Sequence, residues 1–173
     1  MTNHSLTFAL IGAFALSATP AVADSHSDTD TGTAEALTPG SNTAWLNSQA
    51  AFMAGLTAKD GWRPAQGGLM WRYVTYTANE TKPNVSDTVT VHYEGTLTDG
   101  TVFDSSFERG DPATFPLRGL IPAWQIAIPE MGVGDTIEIA APADIAYGPR
   151  GKGPIPPESV LLFKIELLGI QGR

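Results

Sequence analysis

"VHYEGTLTDGTVFDSS", residues Val91 to Ser106, is the stretch that decides the fold. Val91 and Tyr93 alternate with His92 and Glu94 and continue a pattern begun at Val89 and Thr90, the period of a strand with one apolar face. Thr98-Asp99-Gly100 is a turn signal, because Gly supplies the positive φ of a tight reversal, so the chain is expected to fold back on itself. The stretch then reaches Phe103-Asp104 with no nucleophile and no set of metal ligands beside the pair.

Outward from this hairpin the pattern repeats. "LMWRYVTY" (Leu69 to Tyr76) is rich in aromatic and β-branched residues, "DTIEIAAP" alternates through Ile137 and Ile139, and "SVLLFKIELLGI" places Leu161, Phe163, Ile165 and Leu167 on one face. Between the strands, "LIPAWQIAIPEMGVGD" lets a helix begin at Pro122 and requires it to end at Pro129. An amphipathic sheet needs a cover for its apolar face, so the economical architecture is α+β: an antiparallel β-sheet packed on one short α-helix. "SNTAWLNSQAAFMAGLTAKDGW" adds a short N-terminal helical extension, with Ser41, Asn42 or Thr43 as N-cap, Trp45, Phe52 and Leu56 at helical spacing, and Gly55 as a weak point.

The N-terminus reads as a targeting segment. An apolar run from Leu6 to about Ala18 leads to Ala21-Val22-Ala23 before Asp24, the pattern of a secretory signal peptide cleaved after Ala23, although no Lys or Arg precedes the run. Residues 24–40 are rich in Ser, Thr and Asp and form an acidic linker with little to bury. The organisation is therefore 1–23 signal peptide, 24–40 disordered acidic linker, 41–67 helical extension and 68–170 globular domain, in a periplasmic or secreted protein with no membrane anchor after signal removal.

Composition narrows the chemistry. The 173 residues are 42% hydrophobic with four Trp and seven Phe, enough for one core, and contain no Cys, which excludes disulfides, thiol nucleophiles and thiolate metal sites. His4 and His26 lie outside the periodic segments, leaving His92 alone, so no His-based metal site and no cofactor is expected. A net charge of −8 argues against nucleic-acid binding. No nucleotide loop is present, since "GVGDT" fits neither glycine-rich pattern, and no Ser-His arrangement is legible; an Asp104–Asp144 carboxylate pair is the weak remainder. What is left is a set of apolar and aromatic residues beside turns and loops: Tyr93, Phe103, Asp104, Phe115, Leu120, Ile121, Trp124, Tyr147, Ile155 and Phe163.

In this order and spacing, "VHYEGTLTDGTVFDSS", "LIPAWQIAI", "MGVGD", "AYGPRG", "IPP" and "LLFKIELLGI" resemble the FK506-binding-protein (FKBP) class of peptidyl-prolyl cis-trans isomerases over Gly68 to Ile170. The helical lead-in and "GGLMWRYV" resemble the secreted, macrophage-infectivity-potentiator-like branch, with a shorter helical region, so a monomer is expected rather than a helix-swapped dimer. The resemblance implies a half-barrel sheet wrapped around the short helix, with a proline pocket between them. Tyr93, Phe103 and Asp104 would form one wall and Trp124 the floor. Leu120 and Ile121 would come from the loop before the helix, with the Ile121 N–H donating to a substrate carbonyl. Tyr147 would donate its hydroxyl to another carbonyl, with Phe115 among the substrate contacts and Ile155 and Phe163 closing the far side. Departures from the family pattern are a shorter loop before the helix, Ala113 in place of a Phe, Ala123 in place of a Gly, and Pro154 in place of a branched apolar residue. The implied partners are proline-containing polypeptides and FK506- or rapamycin-like macrolide inhibitors. Taken singly, each ring would serve as ordinary core, and Asp104 as an Asx turn or N-cap. A proline-binding module or holdase without turnover is the second reading, and a purely structural domain the third.

Overall fold

The computed structural model describes residues 43–172. The signal peptide, its cleavage after Ala23, the acidic linker and the N-cap candidates Ser41 and Asn42 all lie outside the described residues. Seven strands form one antiparallel sheet: β1 (Arg63–Pro64), β2 (Met70–Thr75), β3 (Thr88–Leu97), β4 (Val102–Ser105), β5 (Ala113–Pro116), β6 (Thr136–Ala141) and β7 (Leu161–Ile170). Their order is β1-β2-β6-β7-β3-β4, and β5 pairs with the other half of the β3 edge that β4 occupies. Among the described residues three α-helices accompany them: α1 (Thr43–Ala54), α2 (Ser106–Arg109) and α3 (Pro122–Ala127). This is the α+β architecture expected from the alternation.

The long pair β3–β7 carries the register, running from Val89↔Ile170 to Leu97↔Leu161. Along β3 every second residue is buried, so Val89, Val91, Tyr93 and Leu97 enter the core while Thr90, His92, Glu94 and Thr96 stay half-exposed. Burial of each large apolar side chain contributes about 1.5–3 kcal/mol, and a one-residue slip would turn the whole set outward. Ile137, Ile139, Phe163, Ile165 and Leu167 complete the same face, and α3 covers it with Ala123, Trp124 and Ala127. Pro122 occupies the first helical turn, where its missing N–H costs nothing. The α-helix ends at Ala127 and tightens into a 3₁₀ turn at Ile128–Glu130 that contains Pro129.

Asp135 is fully buried at the turn into β6 and accepts from the Thr77 N–H (2.7 Å), the Thr77 hydroxyl (2.8 Å) and the Gly132 N–H (2.8 Å). Burial opposes its charge, but these bonds outweigh it and hold its carboxyl below the usual carboxylate range. Gly55, read as a weak point inside the N-terminal helix, instead lies just past its end, where its N–H reaches the Ala51 and Phe52 carbonyls. Leu56 accordingly falls outside α1. Among the described residues no helix is long and apolar enough to cross a membrane.

Candidate functional site

The site begins with an irregularity in the hairpin. β4 pairs Glu94↔Ser105 and Gly95↔Asp104 but then Thr96↔Val102, so Phe103 is an extra residue facing no partner. A bulge of this kind turns neighbouring side chains to the same side, which regular alternation forbids. Phe103 and Asp104 therefore both reach the concave face. Beneath them Gly95 leaves the room: a Cβ there would lie 2.5 Å from Phe103 Cζ and 3.0 Å from Phe163 Cε1. The Phe103 and Phe163 rings meet edge-on across this gap, 5.6 Å apart at 88°.

Trp124 on α3 supplies the base. Its ring stands nearly perpendicular to Tyr93 (5.2 Å, 79°), Phe163 (5.5 Å, 90°) and Phe115 (6.4 Å, 77°), the edge-to-face geometry that aromatic quadrupoles favour. Rings packed edge-on leave a hollow between them. The hollow is a cavity of about 240 Å³ lined by Tyr93, Phe103, Asp104, Phe115, Leu120, Ile121, Trp124, Tyr147 and Phe163. Leu120 is positioned by Gln125, whose amide donates to the Leu120 carbonyl at 2.7 Å.

Among the described residues only one carboxylate lines the cavity, and it is committed. Asp104 accepts from the Tyr93 hydroxyl at 2.5 Å and is ion-paired to Arg109, whose second nitrogen donates to the Tyr93 oxygen at 3.1 Å. Burial works against the Asp104 charge, yet the hydrogen bonds from Tyr93 and Arg109 and the Arg109 charge hold its carboxyl below the ordinary range. Desolvation first, and the Asp104 bond second, push the Tyr93 hydroxyl up. Desolvation and the Asp104 charge do the same to Tyr147. None of these groups is poised to exchange a proton near neutrality. Three donors remain uncommitted: the Ile121 N–H and the Tyr147 hydroxyl have no partner among the described residues, and Trp124 Nε1 is buried without one. No group of three or more His, Asp or Glu residues that could hold a metal ion occurs among the described residues.

Nine of the ten residues singled out in the sequence thus line one cavity. Ile155 is not among them; it is buried in the core cluster, and its backbone pairs with Lys152 within the loop that follows Tyr147. Asp104 is not the N-cap of α2, which is Ser105, whose side chain accepts from the Glu108 N–H. The sequence reasoning missed three residues. Arg109 ends α2 in the seven-residue connection between β4 and β5, where nothing in a periodic pattern marks it. Ser106 is fully buried and its hydroxyl accepts from the Tyr93 N–H at 2.7 Å, replacing the ladder bond where β4 leaves β3. Gly95 interrupts an otherwise apolar face, and that interruption was its available signal.

The fold and the cavity together define a class. Residues 79–168 match the model of the FKBP-type peptidyl-prolyl cis-trans isomerase family. The chain belongs to that family. It is 44% identical over 120 residues to the FKBP-type peptidyl-prolyl cis-trans isomerase FkpA of Aeromonas hydrophila, covering 69% of this chain and 44% of the relative. Against the "Outer membrane protein MIP" of Legionella longbeachae it is 45% identical over 122 residues, covering 70% and 52%. The chain thus spans about half the length of the curated relatives it matches. Among solved structures, a peptidyl-prolyl cis-trans isomerase of Pseudomonas syringae superposes with a TM-score of 0.67 at 35% identity, covering 73% of this chain and 93% of that one. These relatives place the chain in the FkpA and Mip branch of the family.

Proposed function

We propose that the chain is a peptidyl-prolyl cis-trans isomerase that rotates X-Pro bonds of proteins outside the cytoplasm. The observation that carries this reading is the cavity itself: an apolar hollow with uncommitted hydrogen-bond donors and no acid, base or nucleophile near its working range. That combination suits a reaction in which no bond is broken. An X-Pro amide prefers trans by only about 0.5–1 kcal/mol, but its planarity imposes a barrier of about 18–20 kcal/mol. The planar amide is the more polar state and water stabilises its oxygen. Removing that water and holding the proline ring on Trp124, between Tyr93, Phe103 and Phe163, favours the twisted state. An acceleration of about 10⁴ to 10⁶ needs about 5.5–8 kcal/mol of differential stabilisation, within reach of desolvation plus a few hydrogen bonds.

The roles follow from placement. Tyr93, Phe103 and Phe163 wall the proline ring, Trp124 supports it, and Leu120 and Phe115 contact the flanking substrate. The Ile121 N–H and the Tyr147 hydroxyl donate to substrate carbonyls on either side of the rotating bond. Asp104, fixed by Arg109, orients the Tyr93 hydroxyl and presents a negative edge to the carbonyl carbon as it turns. Ile155 supports the loop that carries Tyr147. Macrolides with a proline-like ring would compete for the same hollow. The apolar run and Ala21-Val22-Ala23 support export with cleavage after Ala23, and one relative is named as an outer membrane protein. A monomer is favoured because α1 is bonded to its own domain through Trp45 and Gln49.

The test is cis–trans exchange of an Ala-Leu-Pro-Phe peptide with and without protein, alongside an aggregation-suppression assay. Catalysed exchange supports the isomerase. Suppressed aggregation without catalysis would establish the proline-binding module instead.

A further inference from the structure

Helix α1 lies far from the cavity in sequence, yet it is bonded to the loop that carries Tyr147. That loop leaves the cavity at Tyr147 and returns to β7 at Val160 and Leu161. The Pro157 carbonyl accepts from Trp45 Nε1 at 3.0 Å. The N–H of the same peptide group, on Glu158, donates to the Gly148 carbonyl at 3.2 Å. One peptide unit therefore takes a bond from the helix at its oxygen and gives one from its nitrogen to the residue after Tyr147. Bonds in series of this kind polarise and strengthen each other.

Two further facts point the same way. Gln49 is the one buried residue of α1, and its Oε1 accepts from the Val160 N–H at 2.9 Å while its Nε2 donates to the Thr98 hydroxyl at 3.2 Å. A buried amide bonded to two separate segments fixes their separation. Glu158 itself sits at φ 56, a conformation that a residue with a side chain keeps only where its surroundings over-determine it. Trp45 and Gln49 grip the chain on either side of that strained point.

We infer that α1 is part of the catalytic apparatus, with Trp45 and Gln49 as positioning residues that lock the Pro157–Glu158 peptide and, through Gly148, hold the Tyr147 hydroxyl at the cavity. This rests on the isomerase reading above. A helix serving only to cover apolar surface would need neither bond.

The test compares wild type, Trp45→Phe, Gln49→Met and Gln49→Glu in the full chain. The readouts are kcat and KM for the Ala-Leu-Pro-Phe peptide, amide hydrogen exchange at Gly151, Lys152 and Ile155, and the global unfolding midpoint. Trp45→Phe keeps the ring but loses the donor, and Gln49→Met keeps the length but loses the acceptor. Each is expected to lower kcat about three- to tenfold with KM nearly unchanged, and to speed exchange at the three loop amides. Gln49→Glu keeps an acceptor for Val160 and should restore kcat. The inference is overturned if Trp45→Phe and Gln49→Met keep wild-type kcat, however far their unfolding midpoints fall. Should Gln49→Met fail to fold, Trp45→Phe decides alone. Should wild type itself show no catalysis, the isomerase reading fails separately, and the loop amides still judge the grip: faster exchange in Trp45→Phe supports it, unchanged exchange refutes it.

Discussion

Two arginine–carboxylate pairs sit on opposite faces of the same sheet, and their different surroundings show how a site is made. On the convex face Arg72 and Glu138 meet at 2.7 Å, Arg72 lies over the Trp62 ring at 4.8 Å, and its remaining nitrogen reaches the Asp60 carbonyl at 3.0 Å. That pair fastens the segment before β1 to the strands. It continues into a cross-strand row, Glu138↔Lys164↔Glu94, of alternating sign. On the concave side Arg109 and Asp104 enclose the Tyr93 hydroxyl, and the next neighbours are aromatic rings around a hollow. Both pairs are partly solvated, with side chains between 31% and 50% exposed, so neither is strong as an ion pair. What distinguishes the second is what it orients: a phenol inside a space that edge-on rings leave unfilled.

Breaking the concave side should therefore matter far more than breaking the convex side. The largest effect is expected for Trp124→Ala, which removes the base: a loss of about 3–5 kcal/mol in stability by denaturant unfolding and a fall in kcat/KM of about 100-fold. Trp124→Phe, which keeps an apolar base, should recover most of the stability. Next comes Gly95→Ala, whose methyl collides with Phe103 and Phe163 and should cost about 1–3 kcal/mol, with about a tenfold loss of kcat/KM as the hollow closes. Tyr147→Phe should lower kcat/KM about tenfold, since it removes one polar interaction worth about 1.5 kcal/mol, and Asp104→Leu, which takes away both the acceptor of the Tyr93 hydroxyl and the partner of Arg109, by at least about tenfold. On the convex face Glu138→Gln should change stability by less than about 1 kcal/mol and leave kcat/KM within about twofold. A large activity loss from Glu138→Gln would erase the contrast between the faces.

Acid sharpens the same contrast. Asp104 and Asp135 have carboxyls held below the ordinary range, so their stabilising contribution is present above the unfolded value near 3.9 and is lost as pH falls through the lower folded values. Tyr93 and Tyr147 are raised, so theirs is present below about 10 and lost only above it. Unfolding free energy contributed by these groups should be level from about pH 5 to 9 and fall below about pH 4. Urea midpoints measured across that range check this.

Strands β3 and β7 were legible because each buries one face in a period-two pattern, β6 from the alternation of Ile137 and Ile139, and β2 from its aromatic and β-branched residues, whereas β1 and β5 carry no such pattern and went unread. Helix α3 was legible from Pro122 and Pro129, and nine cavity residues from the family resemblance. What escaped was local and non-periodic. The bulge at Phe103 depends on one residue more on β4 than on β3, which no alternation count across a turn reveals. Arg109 lies in a connection between strands whose only sequence cue is charge. Gln49 looks like surface in a helix and is buried because Val160 and Thr98, distant in sequence, need its amide. Ile155 is buried in the core cluster and is not among the cavity's lining residues, a distinction its apolar character alone does not make.

The central claim is that the hollow speeds rotation by excluding water and offering fixed donors, without proton transfer. The most direct test is kcat/KM for Ala-Leu-Pro-Phe exchange, followed by NMR from pH 5 to 9, with Tyr147→Phe in parallel. The account predicts strong acceleration, a flat profile across that range and a uniformly lower flat profile for the variant. No acceleration, or a bell-shaped profile centred near neutrality, would contradict it.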